Sequence, residues 1–178
     1  MKGLKRSPSH LTLRLLDRDG RVLEEWKDLP NLQPDEGETW VLECLFTGAQ
    51  SLPSPLTYYL GLTTQVSTKI DEETTLATIT DGTDGTEPSG NGYARQAILH
   101  TEWTISQPGI YKKATSDAQS FAASGGPIPA SGAVDWVFLC TAASGTGGKL
   151  IVAVALSAPV VILDGQTLAQ TIAYGQSE

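Results

Sequence analysis

Leu11, Leu13 and Leu15 alternate with Thr12 and Arg14, the two-residue period of a strand with one wet face. Asp17-Arg18-Asp19-Gly20 interrupts the run and Val22-Leu23-Glu24-Glu25-Trp26 follows, which predicts a hairpin turning at Asp19-Gly20. Helical spacing appears next. Trp40, Val41, Cys44 and Leu45 form one apolar stripe to lay against a sheet, and Asp35 is placed to cap it. With Glu36 and Glu38 in the first turn and Gly48 to end it, a helix is predicted over about 36–47. A second, short helix is expected over 71–79. The remaining apolar segments predict strands at 56–62, 93–103, 133–141 and 150–156, then a final hairpin about Asp164-Gly165. Within 93–103, Tyr93, Arg95, Ala97, Leu99 and Trp103 share one face. The acidic, Gly-rich stretch 81–92 carries no packing residue and is expected to be a solvated loop. About eight strands and one helix make the chain mainly β. The expected fold is a β-sandwich, with a jelly roll as one arrangement open to it.

A chain of 178 residues fits this as one domain over 11–178, preceded by a basic arm at 1–10. Charge is uneven along it. Seven of the twelve basic residues lie in the first 27 positions, and six acids with no base lie between Asp71 and Glu87. From Ala114 onward only Asp117, Asp135, Lys149, Asp164 and Glu178 are charged, so that half is covered by partners or kept soluble by neutral polar groups. The strands at 133–141 and 150–156 are apolar on both faces, and a two-layer sandwich covers only one face of each sheet. Self-association is therefore expected, a trimer being the order favoured. A net charge of −8 argues against a nucleic-acid partner. No apolar run approaches the roughly 20 residues that span a bilayer, so no membrane association is expected. The opening decapeptide lacks the apolar stretch of a secretory leader, so assembly in a reducing cytosol is expected.

Candidate chemistry is sparse. Cys44 and Cys140 lie far apart, without histidines at ligand spacing, and are expected as buried free thiols, a disulfide being the alternative. The D-x-D-G fragment at Asp17 starts like a calcium loop, but position twelve is Asp28 where a Glu is needed, so a plain turn is favoured. Asp81, Asp84 and Glu87 could hold a surface cation; a solvated loop is the expectation. Glu102 and Asp135 are the carboxylates that could meet as a hydrolytic pair, and simple solvation or ion pairing is favoured for both. Tyr58, Tyr59, Trp103 and Trp136 could build a sugar-stacking face, with core packing preferred. No catalytic residue, metal ligand or cofactor is assigned, and no enzyme is expected. The candidate contacts are Lys2, Lys5 and Arg6 in the arm, and Arg95. For Arg95 a buried guanidinium paired with Glu102, Asp135 or backbone carbonyls is weighed equally with an exposed contact.

One stretch points further. Glu87-Pro88-Ser89-Gly90-Asn91-Gly92-Tyr93-Ala94-Arg95 resembles the E-x-S-G-x-G-Y-A-R pattern of a family of small structural proteins of tailed bacteriophages. Tyr59-Leu60-Gly61-Leu62-Thr63-Thr64 and Asp135-Trp136-Val137-Phe138-Leu139 are similar to two further strands of that family. The segment 31–48, with Gly37 opening a helix, is similar to its N-terminal part. The resemblance spans about 31–174 and leaves out the first hairpin and the arm. It implies a virion component whose partners are the major capsid protein or tail subunits. A capsid decoration (cement) protein is the leading expectation. A tail or baseplate subunit and a carbohydrate- or receptor-binding module are the alternatives.

Overall fold

The computed structural model describes residues 10–53, 56–66, 70–107 and 112–175. Lys2, Lys5 and Arg6 lie outside them. The alternating leucines form β1 (His10–Leu16), which buries Leu11, Leu13 and Leu15 and pairs antiparallel with β2 (Val22–Leu32). Between them Gly20 takes φ 79°, and one Asp17 carboxylate oxygen accepts the amides of Asp19 and Arg21 at 2.9 and 2.8 Å. The acid is spent on its own turn, as an Asx turn requires.

The remaining strands are β3 (Thr57–Gln65), β4 (Gly85–Thr86), β5 (Gln96–Leu99), β6 (Trp103–Ser106) and β7 (Lys113–Ser116). After them come β8 (Gln119–Ala122), β9 (Val134–Cys140), β10 (Leu150–Val160) and β11 (Thr167–Gly175). One sheet runs β2-β1-β11, with β7 and β8 both on the far side of β11 and β6 beyond β7. The other runs β10-β9-β3, with β4 and β5 both on the far side of β3. Every pairing is antiparallel. The strand β2 serves both sheets, because its last residues Asn31 and Leu32 leave β1 and pair with Val154 and Ala153 of β10. Such a corner strand joins the layers of a sandwich without closing a barrel. Leu11, Leu13, Phe121, Leu168 and Ile172 from one sheet meet Leu60, Leu62, Val137, Leu139 and Val152 from the other.

The predicted helix is present as α1 (Asp35–Leu42), continued by a π-helical turn at Glu43–Thr47 and ended by Gly48 at φ 65°. Asp35 does not cap it: the helix is entered from Pro34, whose carbonyl accepts the amides of Gly37 and Glu38. Trp40 is buried and Val41 and Cys44 are half-buried, but Leu45 is 68% exposed. The wider turn advances each residue less around the axis, so the stripe drifts off the sheet after Cys44. Glu36 anchors the helix start. Its carboxylate accepts the amides of Leu76 and Leu150 at 2.9 Å each, and Lys149 Nζ lies 3.4 Å away.

Three expectations about the later chain are corrected. The segment 71–79 is not a helix but a run of turns, in which the hydroxyls of Thr74, Thr75, Thr78 and Thr80 bond to nearby backbone. Threonine competes in this way for the groups a helix would use. The strand at 93–103 is divided by a short 3₁₀ turn (His100–Glu102) that carries the chain from one sheet to the other. Arg95 and Ile98 are buried while Leu99 is exposed, so the predicted shared face does not form. The last turn is present at Asp164-Gly165, but it joins β10 in one sheet to β11 in the other and makes no hairpin.

The outer face of β9 and β10, expected to be hidden by self-association, is covered within the chain. Ile70, Leu76 and Ile79 fold over the outer face of β9 and β10 and pack on Phe138, Cys140, Leu150 and Ala153. The chain covers with its own loop the apolar surface that the sequence reading gives to other copies.

Candidate functional site

Three of the four segments quoted for the family resemblance, 59–64, 87–95 and 135–139, converge on one cluster. Gly61 of β3 lies directly across from Phe138 of β9. A Cβ at Gly61 would come within 2.2 Å of Cζ of the Phe138 ring, so glycine is what lets that ring lie over the strand. The Arg95 guanidinium sits 5.4 Å from the centroid of the Phe138 ring, a cation–π contact.

The loop that delivers Arg95 turns back on itself. Gly90, Asn91 and Gly92 take φ 74°, 52° and 83°, three left-handed residues in a row. Only glycine and asparagine adopt these readily. Asn91 Nδ2 donates to the Pro127 carbonyl at 2.6 Å and holds the tip. The reversal brings Glu87 against Arg95, eight residues on. Arg95 Nε and Nη2 donate to the two oxygens of Glu87 at 2.7 Å each, the fork geometry of a strong pair. Nη1 donates to the Ala142 carbonyl at 2.9 Å and faces Cys140 Sγ at 3.6 Å, and Nη2 donates to the Gly145 carbonyl at 2.8 Å. All five N–H groups are engaged.

Tyr93 completes the cluster. Its hydroxyl donates to Glu87 at 2.8 Å and accepts the Leu62 amide at 3.0 Å, and its ring stacks on Phe121. Burial first, and then the Glu87 charge, hold the phenol well above its ordinary range. Burial likewise pushes the Cys140 thiol up to about 11, against a partial lowering by Arg95.

Arg95 therefore occupies the first of its two anticipated settings, with a side chain 1% exposed and Glu87 as the partner in place of Glu102 or Asp135. Those two acids are occupied separately: Glu102 accepts the Leu99 amide at 2.6 Å and Asp135 the Gln65 amide at 2.9 Å. The loop expected to be solvated is fixed at Glu87, at buried Pro88 and at the β4 pairing. Asp81 accepts the Thr83 amide of its own turn. Tyr58 and Trp103 pack with the inter-sheet core, whereas Tyr59 and Trp136 pack with the outer cluster, so the four do not share a stacking face. Both cysteines are free thiols, Cys140 buried and Cys44 half-buried. Sequence reasoning names Glu87 but misses it as the partner of Arg95; the signal for that pairing is an acid and an arginine flanking S-G-x-G.

The thiol contrast is measurable. In the native protein at pH 8, Ellman's reagent should titrate Cys44 readily and Cys140 only on unfolding. Because the folded Cys140 keeps its proton to about pH 11 while the unfolded thiol loses it near 9, folding stability should fall as pH rises between them. The slope attributable to this thiol is about 1.4 kcal/mol per pH unit. Urea melts at pH 8.5 and 10.5 should show a shallower decline in Cys140→Ala; an equal decline contradicts the assignment.

The Glu87–Tyr93–Arg95 cluster ties the 87–95 loop to β3 and β9 of this antiparallel sandwich. Among the described residues no helix is long and apolar enough to cross a membrane. Residues 35–177 match the family described as Podophage GP4 fiber I protein gp80, and the chain belongs to that family. The match begins with the first residue of α1, so the β1–β2 hairpin stands outside it. No curated protein and no solved structure matches the chain. Membership makes it a phage virion structural protein and favours the tail-associated reading over decoration of the head.

Proposed function

We propose that this protein is a non-catalytic subunit of the phage tail, seated where the fibres attach and working by holding neighbouring virion proteins. The family match over 35–177 carries the reading, because the family is described as a fibre protein. The internal clamp is consistent with it: Glu87, Tyr93 and Arg95 spend their polar groups on rigidity and leave no open acid–base pair there. Contact with other tail subunits is left to the surface. Leu42, Leu45 and Phe46 project from the end of α1, Phe46 at 78% exposure, and offer apolar area of the kind that interfaces bury.

Cryo-electron microscopy of particles carrying an epitope on this chain, decorated with the matching antibody fragment, tests the placement. Density at the tail is the expected result. A regular array of label over the head would return the protein to the decoration role and sink the tail reading.

A further inference from the structure

The chain holds two asparagines, and their settings are opposite. Asn31 lies in β2 across from Val154 and is followed by the branched Leu32. Asn91 stands at the tip of the loop that closes the clamp, the one non-glycine residue with positive φ among the described residues. Gly92 follows it, exposed and with no side chain to crowd its amide nitrogen. Among the described residues no hydrogen-bond acceptor takes the Gly92 N–H.

The Asn91 side chain is held as firmly as the Gly92 nitrogen is free. Its Nδ2 donates to the Pro127 carbonyl at 2.6 Å, and the Ser124 amide donates to the Asn91 carbonyl at 2.9 Å. A Cβ at Gly126 would come within 2.9 Å of Nδ2, so the stretch 124–127 is a fitted seat for the amide. That seat takes only a donor. An aspartate oxygen in the place of Nδ2 would face the Pro127 carbonyl oxygen, acceptor against acceptor.

We infer that Asn91-Gly92 is a site of spontaneous deamidation, and that the Asn91 amide is a latch which this reaction releases. The Gly92 nitrogen attacks Asn91 Cγ, a new C–N bond forms, the Cγ–Nδ2 bond breaks, and ammonia leaves with the proton shed by Gly92. Water then opens the resulting imide at either carbonyl and leaves aspartate or isoaspartate; nothing is oxidised or reduced. The fold sets both the rate and the consequence. Cγ is open to attack only when Nδ2 leaves Pro127, so one hydrogen bond slows the reaction about five- to tenfold. The product then has no donor for the seat. Isoaspartate also lengthens the main chain by a carbon inside the reversal that brings Glu87 to Arg95. The inference is independent of where in the virion the protein sits.

The test incubates the full-length protein at pH 8.5, native and in guanidinium chloride. Peptide mass mapping follows conversion at each asparagine, and anion exchange isolates the converted native protein by its added negative charge. Native Asn91 should convert about five- to tenfold more slowly than unfolded Asn91, while native Asn31 stays intact. The isolated product and the variant Asn91→Asp should both melt about 3–10 °C below the parent protein. A native sample unconverted at Asn91 when the unfolded one has converted fully overturns the site, as does Asn31 converting as fast. Equal native and unfolded rates, or parent-like melting of both the product and Asn91→Asp, overturn the latch.

Discussion

Arg95→Ala is expected to remove about 3–5 kcal/mol of folding stability. The guanidinium is 1% exposed, and its carboxylate partner Glu87 is 17% exposed. Deleting the cation leaves Glu87 in poor solvent with the Tyr93 hydroxyl as its remaining side-chain partner among the described residues, the Gly145 carbonyl loses the Arg95 donor, and the Ala142 carbonyl keeps only the weak Cys140 thiol donor. The Phe138 ring also loses the cation lying over it. Against a total of about 5–15 kcal/mol the protein would remain folded only narrowly. In urea the midpoint should move down by about 2 M at unchanged slope. Arg95→Lys keeps the charge but not the fork, and should fall between the two. The double variant Glu87→Leu/Arg95→Met should cost less than the sum of its single changes, since neither charge is then stranded. A midpoint for Arg95→Ala within about 0.3 M of the parent protein would mean the clamp adds nothing, and the argument fails.

Gly61→Ala should be nearly as damaging, although it adds only a methyl group. The new Cβ would press to 2.2 Å from the Phe138 Cζ, and any retreat of the ring would disturb its contact with Arg95. Overpacking of this kind costs roughly 1–3 kcal/mol, and the upper end is expected because the two strands are paired at this point. Calorimetry should show a lowered melting temperature. Phe138→Leu in the same chain should restore part of it, since leucine vacates the space the methyl needs. If Gly61→Ala melts like the parent protein, the ring has room to move and the packing argument is wrong.

Both effects arise from residues whose meaning is only partly written in the chain. The face of β1 is legible because Leu11, Leu13 and Leu15 alternate with polar neighbours and a turn signal follows at once. The limits of the helix are legible for the same local reason, with acids in the first turn and Gly48 at the end. Glu87 is not, because its partner becomes a neighbour only after three left-handed residues reverse the chain, and a run of Gly, Asn and Ser looks the same in a solvated loop. The cover over β9 and β10 is hidden differently. Ile70, Leu76 and Ile79 stand among threonines at no regular period, so no window through them shows a buried face. The π-helical turn that exposes Leu45 has no signature in the stripe itself. Local periodicity carries most of the strands and the helix, while the clamp depends on contacts that exist only once the sheets are assembled.

The pairing of β1 with β11 has a mechanical consequence. Its seven rungs run from His10↔Ala173 to Leu16↔Thr167, so the first residue of β1 and the last residues of β11 lie side by side at one end of the ladder. Tension applied through those two ends would load one rung at a time and peel the strands apart like a zipper, whereas opposed ends would load all seven in shear. Strung in series along a filament, this domain would be a weak link. Mounted sideways on its neighbours, with both ends slack, it would transmit force through its sides and never along its ladder.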